Sequence, residues 1–236
     1  MSTEAREQAA APRRPRAARA AGKTVRKRRS QAERSEDMRL RLVEAAASIL
    51  RRKGYAGLRT AEVSKVARVS RGAQLHHFPT KDSLVLATAA HLLQSSLARG
   101  VVRARNTAAA DDPIEAIEAV IQDSLDFFLG EDFAVILDLV LTGTKAGSLR
   151  GRVFEYAREN RLGVEQAWLD VLVRHGLAPE RARKILWLTI SIVRGLSVRA
   201  LWQRDEALFR ELLDEWKLIL AGHLKQLDGE RHDAVA

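Results

Sequence analysis

The chain has 236 residues, 46% of them hydrophobic and 30% charged, with no cysteine and a formal net charge of +10. Such a composition belongs to a globular protein with a substantial core, and the missing cysteine excludes disulfides and thiolate-bound metals and fits a reducing cytoplasm. No run approaches the roughly 20 apolar residues that a transmembrane helix needs, so no span is expected. The charge is unevenly placed: residues 1–81 hold 21 Lys and Arg against 7 Asp and Glu (+14), and residues 82–236 hold 19 against 23 (−4). A basic third ahead of a mildly acidic remainder points to a nucleic-acid-binding end and a separate body, with a solvated basic face as the bland alternative.

Residues 1–37 read as a basic disordered tail, rich in alanine and arginine and almost without large apolar side chains. Such a segment cannot bury enough surface to offset its ordering entropy. No apolar stretch follows the charges as a secretory signal requires, and Glu4 and Glu7 speak against an organelle transit peptide. The tail is either an arm on DNA phosphates or the minor groove, or a flexible extension without a specific role. A start at Met38 would remove it.

From Arg39 to Lys53 the apolar residues Leu42, Val43, Ala46, Ile49 and Leu50 share one helical face, and Gly54 stops the helix. The stretch Thr60 to Phe78 then reads as two short helices about a tight turn. Thr60 is the expected N-cap of the first, with Ala61, Val63, Val66 and Ala67 facing inward. Arg68-Val69-Ser70 breaks the pattern, Ser70 caps the second helix, and Val69 supplies a hydrophobic staple. Two helices so joined form a helix-turn-helix whose second member enters the major groove. Pro79-Thr80 ends that helix, and Thr80 caps a fourth running to about Ala98.

Thr60, Val63, Val69-Ser70, Gly72-Ala73, His77-Phe78, Lys81 and Leu84, with Ile49, Leu50, Gly54 and Tyr55 upstream, make the segment Arg39 to Leu93 resemble the TetR family of bacterial transcriptional regulators. Three residues depart from that pattern: Arg68 for a glycine in the turn, Gln74 for a leucine and Leu75 for a tyrosine. The resemblance implies an all-α fold with a helix-turn-helix head (residues 38–80), a helical effector-binding and dimerisation body (81–228), and a C-terminal tail (229–236). It also implies that the fourth helix transmits effector binding to the head.

With Ser70 as cap, Arg71, Gly72 and Ala73 form the first turn of the recognition helix. Arg71 suits a bidentate contact to guanine, Ala73 a thymine methyl, Gly72 close backbone approach, and His76 shares their face. By resemblance Thr60, His77 and Lys81 contact phosphates. Gln74 would pair with adenine if it faced outward, whereas the family pattern turns it inward. His76 and His77 point about 100° apart and do not chelate one metal well.

The remaining punctuation is helical, with helices expected at 113–129, 132–144, 149–175, 180–203 and 205–227, nine in all. No nucleotide loop, nucleophile elbow or zinc motif is present, so neither enzyme nor cofactor is expected. Asp138 and Arg194 each interrupt an apolar run. A buried charge must be paired or solvated, so each is either a structural or interface pair or the polar end of an effector site with walls at Phe127, Phe128, Leu141 and Trp168. The last two helices are apolar over more than one stripe, which calls for a second surface. Trp187, Ile192, Gly195, Arg199 and Trp202 on one and Phe209, Leu213, Trp216 and Leu220 on the other fit the family's four-helix dimer interface. The reading is a dimeric, cytoplasmic repressor that an unidentified small molecule releases from a palindromic operator. An activator or an effector-independent architectural DNA binder is the rival, and an all-α enzyme or adaptor a more distant one.

Overall fold

The computed structural model describes residues 30–107, 112–142 and 148–233, and among these every regular element is an α-helix. Residues 1–29, and with them most of the expected tail, lie outside the described residues, as do residues 234–236. The first helix, α1, runs Gln31–Gly57 and starts well upstream of Arg39, because Ser30 and Glu33 form a capping box. Ser30 Oγ accepts from the Glu33 N–H at 3.1 Å and the Ser30 N–H donates to Glu33 Oε2 at 2.6 Å. Two donors that the helix end leaves orphaned are thereby satisfied. Residues 30–37 are thus helix and cap rather than tail.

At Gly54 the backbone of α1 turns out of the helix at φ 64°, a region glycine enters without steric cost, and one further turn ends at Gly57. Next come α2 (Thr60–Ala67) and α3 (Arg71–His77), then α4 (Lys81–Thr107), a single helix that continues past Ala98. The body adds α5 (Pro113–Phe128), α6 (Glu131–Thr142), α7 (Ser148–Arg174), α8 (Pro179–Arg199) and α9 (Glu206–Asp233). Asp112 caps α5 through the Ile114 N–H at 2.8 Å, and Pro113 occupies a first-turn position where no amide donor is needed. α9 continues through residues 229–233, where a tail was expected.

Head and body share one core. Leu42, Ile49, Leu58 and Val63 in the head and Leu84, Val85 and Ala89 on α4 are fully buried in the same apolar cluster as Val153, Val171 and Val193 of the body. A fully buried Leu or Val stabilises by roughly 1.5–3 kcal/mol, so this continuous core sets how α1 and α4 lie together. α4 packs chiefly on α7. They approach closely where Gly100 faces Val164, since a Cβ there would come within 3.0 Å of that side chain. α1 also packs on α6, which matters for the site below.

Candidate nucleic-acid interface

The exposed face of α3 is short and chemically mixed. Ser70 Oγ accepts the Ala73 N–H at 3.2 Å and fixes where the helix begins. Arg71, Gly72 and His76 are then exposed and Ala73 half-buried. Nothing lies within 4 Å of a Cβ built on Gly72, so this edge of α3 is open to another backbone or a groove wall. Around it Arg59, Lys65 and Arg68 are also exposed, surrounding α3 with positive charge. Arg68 closes α2 in the left-handed region, φ 54° and ψ 46°, where its amide reaches the carbonyls of Lys65 and Ser64. This is the position where a glycine is usual, and arginine keeps the same backbone at some steric cost.

Several expectations change. Gln74 is only 1% exposed, its Nε2 donates to the Phe78 carbonyl at 3.0 Å and its Oε1 accepts from Ser64 Oγ, so it joins α2 to α3 and does not reach DNA. Leu75 points outward instead, 45% exposed, and gives the α3 surface an apolar residue that the sequence reading left without a role. On α2 the buried side chains are Val63, Ser64 and Ala67, while Ala61 and Val66 are exposed. Thr60 is the first residue of α2 rather than its cap; the extended residue is Arg59, which makes no side-chain cap bond.

Lys81 is committed internally. Its Nζ donates to the Tyr55 carbonyl at 2.7 Å and sits 4.0 Å from the Tyr55 ring centroid, and burial pushes its pKa below the usual lysine range, with Arg59 adding to the effect. It braces the end of α1 against the start of α4. His77 is half-buried, edge-on to His76. Thr80 and Ser83 cap each other at the start of α4, Thr80 Oγ1 accepting at 3.0 Å and Ser83 Oγ at 3.2 Å.

In the body the proposed effector residues separate. Phe127 and Phe128 are buried and meet Phe133 of α6 at centroid distances of 5.5 and 5.0 Å. Trp168 is buried and donates to Asp123 Oδ2 at 3.1 Å. Asp138 does not face that cluster: its Oδ2 accepts the Tyr55 N–H at 2.7 Å and lies 3.0 Å from a Cβ built on Gly54. Leu141 is 71% exposed, because the inward stripe of α6 is Val135, Ile136 and Leu139 and Leu141 falls off it. Arg194 is exposed rather than buried in its apolar run, with its Cζ 5.0 Å from the Phe128 centroid.

Arg161 on α7 was not singled out from the sequence, where it is one more arginine on a charged helix. All three of its guanidinium nitrogens are sealed from solvent, with no hydrogen-bond partner among the described residues. Its Cζ lies 4.6 Å from the Phe127 centroid and 5.3 Å from that of Phe128. Stacking of this kind returns about 0.5–2 kcal/mol, less than the several kcal/mol that dehydrating an ion costs. Burial lowers its pKa most, Asp123 and Glu165 raise it, and Arg194 lowers it. Asp123, opposite, has its pKa raised by burial against the pull of Trp168, Arg161 and Arg103.

Of the proposed interface residues, Phe209, Leu213 and Leu220 are buried in the protomer's own core, on the stripe of α9 that faces α5. Trp216 is half-buried and donates to Thr189 Oγ1 at 3.1 Å, and Ile192 is half-buried. Trp187, Gly195, Arg199 and Trp202 are exposed, joined by Leu188, Val198, Leu201, Leu212, Leu218 and Ile219. Among the described residues no group of three or more His, Asp or Glu could hold a metal ion, and no helix is long and apolar enough to cross a membrane.

Residues 42–88, spanning the helix-turn-helix and its flanking helices, match the model for bacterial regulatory proteins of the tetR family. The HTH-type transcriptional regulator CymR of Pseudomonas putida is 44% identical over 186 residues, covering 79% of this chain and 90% of that protein. Among solved structures, a transcriptional regulator from Saccharomonospora viridis in complex with choline has a TM-score of 0.62 at 17% identity, covering 77% of this chain and 95% of its own. Reduced NemR of E. coli has a TM-score of 0.61 at 15% identity, covering 78% and 97%. These structures share the all-α fold, while the head's residues and the identity to CymR carry the assignment further. The chain belongs to the TetR family of bacterial transcriptional regulators, with the helix-turn-helix as its DNA-binding unit.

Proposed function

We propose that the protein is a dimeric repressor that occupies a palindromic operator and leaves it when a small molecule binds in the body. The observation that carries this reading is the exposed apolar face of α8 and α9. Trp202, in the turn that follows α8, is 80% exposed and Leu218 67%, and Trp187, Leu188, Leu201 and Ile219 are exposed as well. A patch of this kind marks an association surface. A second copy seated there through a two-fold axis presents two α3 helices to two half-sites. Arg71 and Leu75 read base edges, with Gly72 and Ala73 allowing close approach and Thr60 and His77 positioned on phosphates. The residues before Ser30 contribute salt-sensitive affinity through their arginines. The protein acts on chromosomal DNA in the cytoplasm.

Selection of bound duplexes from a random pool with the purified full-length chain, at physiological salt, tests this. A recovered palindrome with half-sites about one helical turn apart is the expected result. Recovery of no motif, with binding that vanishes once residues 1–29 are removed, would leave a nonspecific binder held by its tail. Activation in place of repression would show as transcription that rises with occupancy.

A further inference from the structure

The body contains a buried cation without an acceptor. Arg161 sets its guanidinium carbon over the rings of Phe127 and Phe128, yet none of its nitrogens donates to any described residue. Aromatic faces attract the charge and leave the in-plane N–H donors unused. The neighbouring carboxylate is already occupied: Asp123 Oδ2 takes the Trp168 indole N–H at 3.1 Å and Oδ1 faces Arg103 at 3.8 Å. Arg194 brings a second guanidinium to the same Phe128 ring. A cleft of about 260 Å³ opens beside Phe127 on the α6 side, with Arg51 and Arg99 set against Asp126, Glu131 and Asp132.

We infer that Arg161 is the anchor of the effector site and that the effector is a small organic carboxylate. Its two oxygens take the parallel N–H donors of the guanidinium, and its apolar body lies against Phe127, Phe128 and Phe133. A planar fork matches a carboxylate in two-point geometry. A free phosphate dianion would need more donors than one fork supplies and would gain nothing from three phenyl walls. The inference rests on the body being the effector domain and names the chemistry that domain recognises.

The same geometry supplies a route to the head. Phe133 belongs to α6, and α6 holds α1 through Asp132 to Arg51 at 2.6 Å and Asp138 to the Tyr55 amide at 2.7 Å. A ligand held at the edge of the Arg161 guanidinium, with its apolar body against the phenyl cluster, presses on Phe133 and works on those two links. The ligand shifts the population only because it binds the displaced arrangement better.

The test uses benzoate, phenylacetate and hexanoate as probes, with benzamide and inorganic phosphate as controls, on the full-length protein. Thermal unfolding is recorded with each probe at millimolar concentration, alongside release from the selected operator. At least one carboxylate is expected to raise the melting temperature by a few degrees and release the operator, while benzamide and phosphate do neither. Arg161→Met should remove the response and, by deleting an unpaired buried charge, melt higher than wild type without ligand. Arg161→Lys, which keeps the charge and loses the fork, should weaken the response about tenfold or more. An unchanged response in Arg161→Met, equal shifts with phosphate, or no shift with any carboxylate would overturn the inference. So would a lower ligand-free melting temperature for Arg161→Met, which would make Arg161 a structural residue. A protein that selects a palindrome yet ignores all three carboxylates keeps the repressor reading and loses only this one; one that selects no palindrome loses the repressor reading, and its thermal shifts still decide the role of Arg161.

Discussion

At the scale of single residues, the two cations Arg71 and Lys81 do different work although both stand in the DNA-binding motif. Arg71 is exposed at the start of α3. Replacing it with alanine should weaken operator binding by about 1–3 kcal/mol, roughly 5- to 150-fold, and relax selection at one base pair, as a binding titration on single-substituted operators would register. Lys81 donates to the Tyr55 carbonyl and lies on the Tyr55 ring. Lys81→Met should therefore act on stability: about 1–2 kcal/mol lost, and a melting temperature lower by about 2–8 °C for a chain of this size. A melting temperature that stays put while the salt slope of binding falls would make Lys81 a phosphate contact after all. Leu75 and Gln74 are adjacent, yet one faces solvent and the other is sealed between α2 and α3. That difference leaves Leu75 as the exposed apolar residue of α3 and Gln74 sealed beneath the surface.

At the scale of elements, α6 is the piece that ties body to head. It carries Phe133 of the aromatic cluster and three carboxylates that reach α1, those of Glu131, Asp132 and Asp138. The resemblance pointed to α4 as the transmitting helix; α4 does run continuously from the head into the body, and α6 adds a second connection that meets α1 where Gly54 breaks it. Asp138→Ala leaves the part-buried Tyr55 amide without this acceptor, a loss of about 1–3 kcal/mol. The expected signature is a lower melting temperature together with operator affinity that responds less to effector. Operator affinity and effector response both unchanged would show that α6 is not part of the link. The N-terminal turn of α1 is an element-scale correction of another sort, since Ser30-Gln31-Ala32-Glu33 is a capping-box sequence and extends the helix into a stretch that composition alone marks as tail.

For the whole molecule, the question is what covers α8 and α9. Trp202 and Leu218 are so exposed that burying them against a second copy removes two large apolar side chains from water in each protomer. Trp202→Glu combined with Leu218→Glu should give a monomer in sedimentation, with its fold preserved because neither residue belongs to the protomer core. On DNA that monomer should bind single half-sites weakly and lose its preference for the palindrome. A double variant that still sediments as a dimer would move the interface elsewhere on the surface. Phe209, Leu213 and Leu220 are unsuitable for this experiment, since they hold α9 to α5 and their replacement would unfold the body.

Periodicity, capping residues and charge placement were enough to identify an all-α chain with a basic helix-turn-helix ahead of an apolar body, because these are local properties written into neighbouring residues. Ser70 and Thr80 cap the helices their positions announced. Facing and partnership were another matter. Whether Phe209 lies inside the protomer or Ile219 does depends on which stripe of α9 meets α5, and both stripes are apolar in the sequence. Asp138 and Arg161 are each a charge on a helix; only the packing of α6 on α1 gives the aspartate an amide to hold, and only the packing of α5 against α7 closes the arginine among phenyl rings with its donors unused. Pairings between residues far apart in sequence are set by how the helices stack, and no local pattern encodes them.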